Sequence, residues 1–525
     1  MDRRLGTSQP GASGAPARWV GSKPSVAHAS GRRREWADGD RTVAARWVLE
    51  LCCRAGHSEA GAATASASVP KADGLPAPAG GHPWPGQRPG DAPVAPGPAP
   101  GPLGSDPVPV IRHRLVWCLH EAWNRMVAAI ASVASVAARR LRGGEGVATR
   151  GRVLLTLDPG ALSHLARGRD VVLVTGTNGK TTTAHLLAAA LGTLGPVAHN
   201  ASGANMSDGA VAALATRRHA PRAVLEVDEL HLARVADAVS PAVVVLLNLT
   251  RDQLDRGSEV AAVATSIRKS LCRHPRTLVV ANRDDPVVVA TVEGMPRVTW
   301  VAASAGWSGD ASLCLRCGRQ LVAEHGWSCP CGLSQPQADW ELDGAAVRGA
   351  GATTPLHLRL PGRFNLGNAL AAMAAAHALG VPPGAAADAM ADLESVAHRY
   401  ATVRHGSHEL HLLLAKNPAG WAETLPLLKD YPALLLVINA READGRDTSW
   451  LWDVPFEQLP PRPTVASGDR AADVGLRLSY AAVGHQTVDD PLAGLELLPP
   501  GEVVAVANYT AFADLWRRLA VMSGR

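Results

Sequence analysis

Val171-Val172-Leu173-Val174-Thr175-Gly176-Thr177-Asn178-Gly179-Lys180-Thr181-Thr182 is the stretch on which the fold turns. Its first five residues are apolar or β-branched without alternation, which predicts a strand covered on both faces. A glycine turn follows at once, and an apolar helix is predicted from Lys180 to Leu191. Strand, glycine turn and helix together form a phosphate-binding unit, because the backbone N–H groups of the turn and of the helix N-terminus point at phosphate oxygens. The Lys180 ammonium can balance the phosphate charge and the Thr181 hydroxyl can ligate Mg²⁺, so Gly176, Thr177, Asn178, Gly179, Lys180, Thr181 and Thr182 are the candidate cradle. The loop is shorter than the full Walker pattern, which would put its first glycine where Val174 stands. Its chemistry fits ATP or GTP.

Outward from this unit, buried strands are predicted at Ala223 to Val227, Val243 to Asn248 and Thr277 to Ala281, separated by helical patterns such as Val260 to Leu271. Continuous apolar strands alternating with helices argue for a parallel α/β sheet. The pattern resumes toward Phe364 and a long Ala-rich helix, and a second α/β unit is expected over 400–525, with strands at Leu412 to Ala415, Leu434 to Asn439 and Val503 to Asn508. Residues 1–110 are dominated by Gly, Ala, Pro, Ser and Arg, in runs such as Pro96-Gly97-Pro98-Ala99-Pro100. Such a composition buries too little apolar surface to offset its ordering entropy, and disorder is expected. The expected division is therefore 1–110, 111–399 and 400–525.

With 525 residues, 46% of them hydrophobic, the chain can build two or three packed cores. The net charge of +5, from 52 Lys and Arg against 47 Asp and Glu, asks for no nucleic-acid partner. No stretch reaches the roughly 20 apolar residues that span a bilayer. Met126 to Ala138, flanked by Trp117, Trp123, Arg125, Arg139, Arg140 and Arg142, is read as a helix packed on the neighbouring domain in preference to one resting on a membrane. No cleavable signal pattern is visible, and a cytoplasmic location is expected.

Cys52, Cys53, Cys118 and Cys272 are scattered, whereas Cys314-x2-Cys317 and Cys329-x-Cys331 crowd into an insert at 311–336. Four thiolates on two short knuckles suit tetrahedral Zn²⁺, and Gly318 and Gly332 allow each knuckle to turn tightly. A closed four-sulfur site leaves no open position for substrate, so its expected role is structural.

The shortened loop Thr175 to Thr182 resembles the ATP loop of the Mur ligase family, whose members join an amino acid or amine to a carboxylate through an acyl phosphate. Further matches follow in the family's order: Asn200, Gly203-Ala204-Asn205-Met206, Glu226 within Leu225-Glu226-Val227-Asp228-Glu229, Asn282-Arg283-Asp284-Asp285-Pro286, Gly362-Arg363-Phe364-Asn365, and Asn368. The resemblance covers about 110 to 400 and implies a Mur ligase-like central domain that uses ATP. It implies that Glu226 holds Mg²⁺ against the transferring γ-phosphoryl group, that Asn282 meets the adenine edge, and that Asp285 organises the nucleotide-side loop.

Arg251-Asp252-Gln253-Leu254-Asp255-Arg256 carries Gln253 where amino-acid-adding members of the family usually have a metal-binding histidine. This segment resembles the MurT branch, the synthetase subunits of lipid II isoglutaminyl synthase, whose partner GatD is a glutaminase. The four-cysteine ribbon with its close second pair is similar to the ribbon of that branch. So are Lys416-Asn417-Pro418-Ala419-Gly420, the segment from Asn439 through Asp444-Gly445-Arg446-Asp447 to Asp453, Ser467-Gly468-x-Arg470 and Asn508-Tyr509-Thr510. His398 stands where a glycine is expected before Arg399.

The resemblance implies ATP-dependent amidation of the α-carboxylate of D-glutamate at stem position two of lipid II, at the inner face of the membrane. It also puts an active-site aspartate at Asp447, where a carboxylate could orient a histidine of the partner, although Asp444 and Asp453 lie close by. No Cys-His pair of glutaminase type is recognisable, which places glutamine hydrolysis on a separate chain. An amino-acid-adding ligase is the first rival, opposed by Gln253 and the C-terminal signatures. A nucleotide-dependent nucleic-acid reader is the second, opposed by a ribbon that mixes Arg316, Arg319 and His325 with Glu324 and forms no basic stripe.

Overall fold

The computed structural model describes residues 147–250, 260–303, 312–323, 326–393 and 399–522. The expectations for residues 1–110, for the Met126 to Ala138 helix, for Arg251 to Arg256, and for Glu324, His325 and His398 lie outside them.

The strand read from the sequence is β1 (Asp170–Thr175), buried from Val171 onward. Alternate side chains of a strand point to opposite faces, and here both faces are covered. Val171 and Leu173 enter one core, while Val172 and Val174 enter the other. Parallel neighbours flank it: β3 (Arg222–Glu226) with Leu173 opposite Leu225, and β4 (Val243–Leu246) with Leu173 opposite Val244. The sheet continues through β2 (Val197–His199) on one side and β5 (Leu278–Asn282) and β6 (Val298–Ala302) on the other. Its order among the described residues is β2-β3-β1-β4-β5-β6, extended by β7 (Trp340–Asp343), β8 (Ala346–Gly349) and β9 (Ala352–Pro355). The strands from β2 to β7 run parallel, and β7, β8 and β9 form an antiparallel meander.

Helices Val147–Leu157, Ser207–Thr216, Leu232–Val239, Val260–Cys272 and Pro286–Val292 cover one face. Helices Lys180–Gly192, Arg363–Ala378 and Pro383–Ala391 cover the other. The alanines of Arg363–Ala378, buried from Ala369 to Ala376, allow it to lie close on Lys180–Gly192.

A second sheet has the order β10-β11-β15-β12-β13-β14, with strands β10 (Tyr400–His405), β11 (His408–Leu414), β12 (Leu434–Val437), β13 (Thr464–Ser467), β14 (Gln486–Thr487) and β15 (Gly501–Ala507). Among the described residues of this sheet, only the β10–β11 pair is antiparallel. The last strand, β15, inserts between β11 and β12, so the order reverses there, at the kind of position where open α/β sheets present functional groups. Among the described residues, no helix is long and apolar enough to cross a membrane.

Candidate active site

The phosphate loop lies at the C-terminal end of β1, where an open parallel sheet presents functional groups. Gly176 (φ 137°) and Gly179 (φ 85°) take backbone conformations that side chains rarely adopt. A Cβ on Gly179 would also stand 2.4 Å from Asn368 Oδ1, so the Ala-rich helix packs directly on the loop. The end of β4 pins the loop from the other side. Asn248 Oδ1 accepts the Asn178 N–H at 2.8 Å, and Asn248 Nδ2 donates to the Asn178 carbonyl at 3.1 Å. Thr177 Oγ1 donates to the Thr250 carbonyl and accepts the Thr250 N–H.

Lys180 and Thr181 are buried beside this loop, as is Thr182. Lys180 Nζ donates to the Gly176 and Thr177 carbonyls and to Glu229 Oε2, the last at 3.0 Å. Glu229 stands three residues beyond Glu226, and the sequence resemblance implies no role for it. Thr181 Oγ1 accepts a hydrogen bond from Arg399 at 2.9 Å, so the segment entering the second sheet reaches back to the phosphate loop.

Glu226 ends β3 at 1% exposure, and neither carboxylate oxygen has a hydrogen-bond partner among the described residues. Its backbone is fixed by Asn200, whose amide accepts the Glu226 N–H at 2.8 Å and donates to its carbonyl at 2.9 Å. A Cβ on Gly203 would lie 3.7 Å from Thr181 Oγ1 and 3.8 Å from Glu226 Oε2, so hydroxyl and carboxylate converge on the space beside that glycine. A buried, unpaired carboxylate is costly unless a cation meets it, and an all-oxygen donor set suits Mg²⁺.

The nucleotide-side loop follows β5. Asp285 caps helix Pro286–Val292 by accepting the Val287 and Val288 N–H groups, and its other oxygen accepts the Leu249 N–H at 2.8 Å. It thereby ties the β5 loop to the β4 loop. Asn282 Oδ1 accepts the Asp284 N–H at 3.0 Å. Asn282, Asp285 and residues 177–182 all line one cavity of about 520 Å³, closed from the second sheet by Lys416, Gly420, Glu423 and Tyr509. Burial pushes the Glu423 carboxyl upward, partly offset by Arg363. The phosphate loop meets the segment after β11 directly, with the Asn178 and Asn417 side-chain amides exchanging two hydrogen bonds of 3.1 Å.

The four cysteines converge as well, all sulfurs lying within 4.8 Å of one another. Cys314 and Cys331 are 3.7 Å apart and Cys317 and Cys329 3.4 Å apart, close to the edge of about 3.8 Å that a tetrahedron with Zn–S bonds of about 2.3 Å requires. Gly318 (φ 70°) and Gly332 (φ 92°) turn the two knuckles. The Leu333 N–H, with the neighbouring thiols, draws the Cys331 thiol down to about 7, whereas the Cys331 N–H at Cys329 is outweighed by burial and the same thiols, which push Cys329 up to about 12.

The three C-terminal aspartates divide. Asp444 is buried and accepts the Thr510 N–H at 2.8 Å, the Thr510 hydroxyl and the Arg441 N–H, which binds its loop to the end of β15. Asp447 and Asp453 are exposed. Asp447 Oδ1 accepts the Ser449 N–H at 2.8 Å, and this bond with the Ser449 hydroxyl holds its carboxyl below the usual range. Asp447 does not line the nucleotide-side cavity.

Residues 174–376 match the Mur ligase middle domain, and residues 414–512 match the MurT ligase C-terminal domain. The chain is similar in fold to a pseudomurein peptide ligase type C from Methanothermus fervidus, at 18% identity and TM-score 0.55 over 68% of this chain and 79% of that one. It is likewise similar to MurF from Acinetobacter baumannii, at 18% identity and TM-score 0.53 over 70% and 80%. The lipid II isoglutaminyl synthase subunit MurT of Staphylococcus aureus is 29% identical over 73% of this chain and 94% of its own length. The corresponding subunit of Streptococcus pneumoniae is 32% identical over 72% of this chain and 93% of its own length. With that identity across nearly a whole relative, and with a phosphate loop seated at the end of β1 in a Mur ligase-like sheet, the chain belongs to the MurT family of ATP-dependent ligases.

Proposed function

We propose that this chain is the synthetase half of a lipid II isoglutaminyl synthase, which amidates the α-carboxylate of D-glutamate at stem position two. The observation that carries the reading is a cavity lined by Lys180, Thr181 and Gly203 on one side and by Lys416, Ala419 and Gly420 of the second sheet on the other, with the unpaired Glu226 carboxylate and the Thr181 hydroxyl converging beside Gly203. That arrangement suits transfer of a γ-phosphoryl group from ATP to a carboxylate held between the sheets. Thr181 and Glu226 would hold Mg²⁺, which when bound would neutralise charge on the phosphates. Gly176 to Thr182 cradle the β-phosphate, Asn282 meets the adenine edge, and Asp285 keeps the nucleotide-side loop in place. Ammonia then attacks the acyl phosphate carbon, and inorganic phosphate leaves as the amide forms.

The ammonia comes from glutamine hydrolysed on a GatD-type partner chain. Asp447 is exposed, held below the usual carboxylate range by the Ser449 N–H, and outside the nucleotide cavity, which suits a carboxylate offered to a site on another subunit. Zn²⁺ held by Cys314, Cys317, Cys329 and Cys331 is structural. The work takes place at the cytoplasmic face of the membrane, where lipid II presents its peptide.

The test is to purify the chain with its glutaminase partner and weigh lipid II after incubation with ATP and either glutamine or ammonium. A mass change matching replacement of one hydroxyl by an amino group, dependent on ATP, is expected with both nitrogen sources. Addition of an amino-acid mass would instead make the chain a peptide-bond-forming ligase.

A further inference from the structure

The four-cysteine ribbon could stabilise the fold from any surface, yet it is built against the loop that lines the nucleotide side of the cavity. Its core residues Cys314, Cys329 and Leu333 pack on Val289 and Ala290 of helix Pro286–Val292. At the far end of that helix, Arg316 pairs with Glu293 at 3.0 Å. At the near end, Gln335 Nε2 donates to Asp284 Oδ1 at 2.8 Å and Trp327 Nε1 donates to the Arg283 carbonyl at 3.2 Å. These two residues are themselves coupled, because the Gln335 N–H donates to the Trp327 carbonyl at 3.0 Å. A Cβ on Gly326 would lie 2.2 Å from Gln335 Oε1, so a glycine at that position gives the amide the room to reach Asp284.

The chain of contacts continues inward. The Asp284 N–H donates to Asn282 Oδ1 at 3.0 Å, and both residues line the cavity. Asp285 ties the far end of this loop to the β4 loop, and a shift of an ångström in the residues between its two ends weakens a positioned contact. Two anchors from the ribbon remove that freedom.

We infer that Gln335 and Trp327 are positioning residues that set nucleotide affinity by fixing the Asn282 to Asp285 loop from the ribbon. The inference rests on the cavity being the ATP site. It makes the ribbon a brace for one half of the substrate pair: ATP binding depends on it, and binding of the carboxylate substrate does not.

The experiment uses the chain co-purified with its glutaminase partner, in wild-type form and as Gln335→Ala, Gln335→Glu and Trp327→Phe. Three quantities are read: the KM for ATP and for lipid II, the Kd of Mg·ADP by calorimetry without turnover, and zinc content. Losing one charge-assisted hydrogen bond predicts that Gln335→Ala raises the ATP KM and the ADP Kd about three- to tenfold, with kcat held within about twofold. Gln335→Glu sets a second carboxylate against Asp284 and exceeds the alanine effect. Trp327→Phe keeps the packing, loses the indole donor and gives a smaller rise. Zinc content and lipid II KM stay at wild-type values throughout.

Unchanged ADP affinity in variants that retain zinc overturns the inference, as does an equal rise in both KM values. Should the Gln335 variants fail to fold, Trp327→Phe decides by the same criterion. Failure of the wild-type complex to bind ADP at all would instead defeat the assignment of the cavity, which is a separate and visible result.

Discussion

Lys180 and Glu229 face each other at 3.0 Å with side chains 7% and 11% exposed, so substitution of the lysine acts on stability as well as on chemistry. Lys180→Met removes one partner of a buried pair and leaves the other charge without compensation, a change that typically costs about 3–5 kcal/mol. Glu229 keeps a little solvent, which puts the expected cost at about 2–4 kcal/mol. For a domain of about 200 residues, such as the matched stretch 174–376, each kcal/mol moves the thermal midpoint by about 2–4 °C, so the unfolding transition of Lys180→Met should fall by about 4–16 °C. Adding Glu229→Gln removes the stranded charge, and the double variant should recover most of that loss.

Amidation should behave differently. Neither variant has a cation inside the phosphate loop, and removing such a group withdraws stabilisation on the order of 4 kcal/mol, about a thousandfold in rate. Scanning calorimetry beside mass measurement of lipid II separates the two effects. A single variant that melts with the double variant would show that the ion pair carries no buried cost. Amidation restored in the double variant would remove Lys180 from the phosphate site.

Cys314→Ser and Cys331→Ser should each lose zinc and lower solubility or thermal stability, because metal affinity at a four-thiolate site is folding free energy; stoichiometric zinc in the double variant would mean that these sulfurs are not the ligands. Asp447→Asn should depress glutamine-dependent amidation by about a hundredfold or more while high ammonium restores most of the rate, and equal loss with both nitrogen sources would move Asp447 into the synthetase step.

The parts of the fold visible in the sequence are those where burial on both faces leaves an unbroken apolar run. β1, β3, β4, β5, β12 and β15 are of this kind, and their expected limits fall within a few residues of the observed ones. The meander of β7, β8 and β9 was not anticipated. Its strands are four residues long and partly exposed, and the turn at Asp343 to Ala346 and the Ala350-Gly351 turn, where both residues have positive φ, interrupt them before any period develops. β10 and β14 escaped notice for a related reason. They are edge strands whose residues are intermediate or exposed, so their place in the sheet is set by pairing with β11 and β13 and not by their own hydrophobicity.

The candidate site divides along chain distance in the same way. The phosphate loop is one contiguous unit, and its composition announces it. The cysteine ribbon is nearly so, since two short knuckles fix four ligands. What the sequence cannot display is a contact whose two halves are remote and individually ordinary. Asn178 and Asn417 lie 239 positions apart, and nothing in either amide foretells that they exchange hydrogen bonds. Glu229 reads as one more acid after β3 until the turn beyond that strand folds it onto Lys180. The Asp444–Thr510 bond has the same character, and it matters most, because it separates two aspartates that sequence alone leaves equivalent. With Asp444 buried in holding its loop to the end of β15, and Asp447 displayed three residues later on the surface, the loop has one carboxylate to fix its shape and another to offer outward. A substitution at Asp444 therefore acts on Asp447 through the loop, and any test of the exposed carboxylate has to be made with the buried one intact.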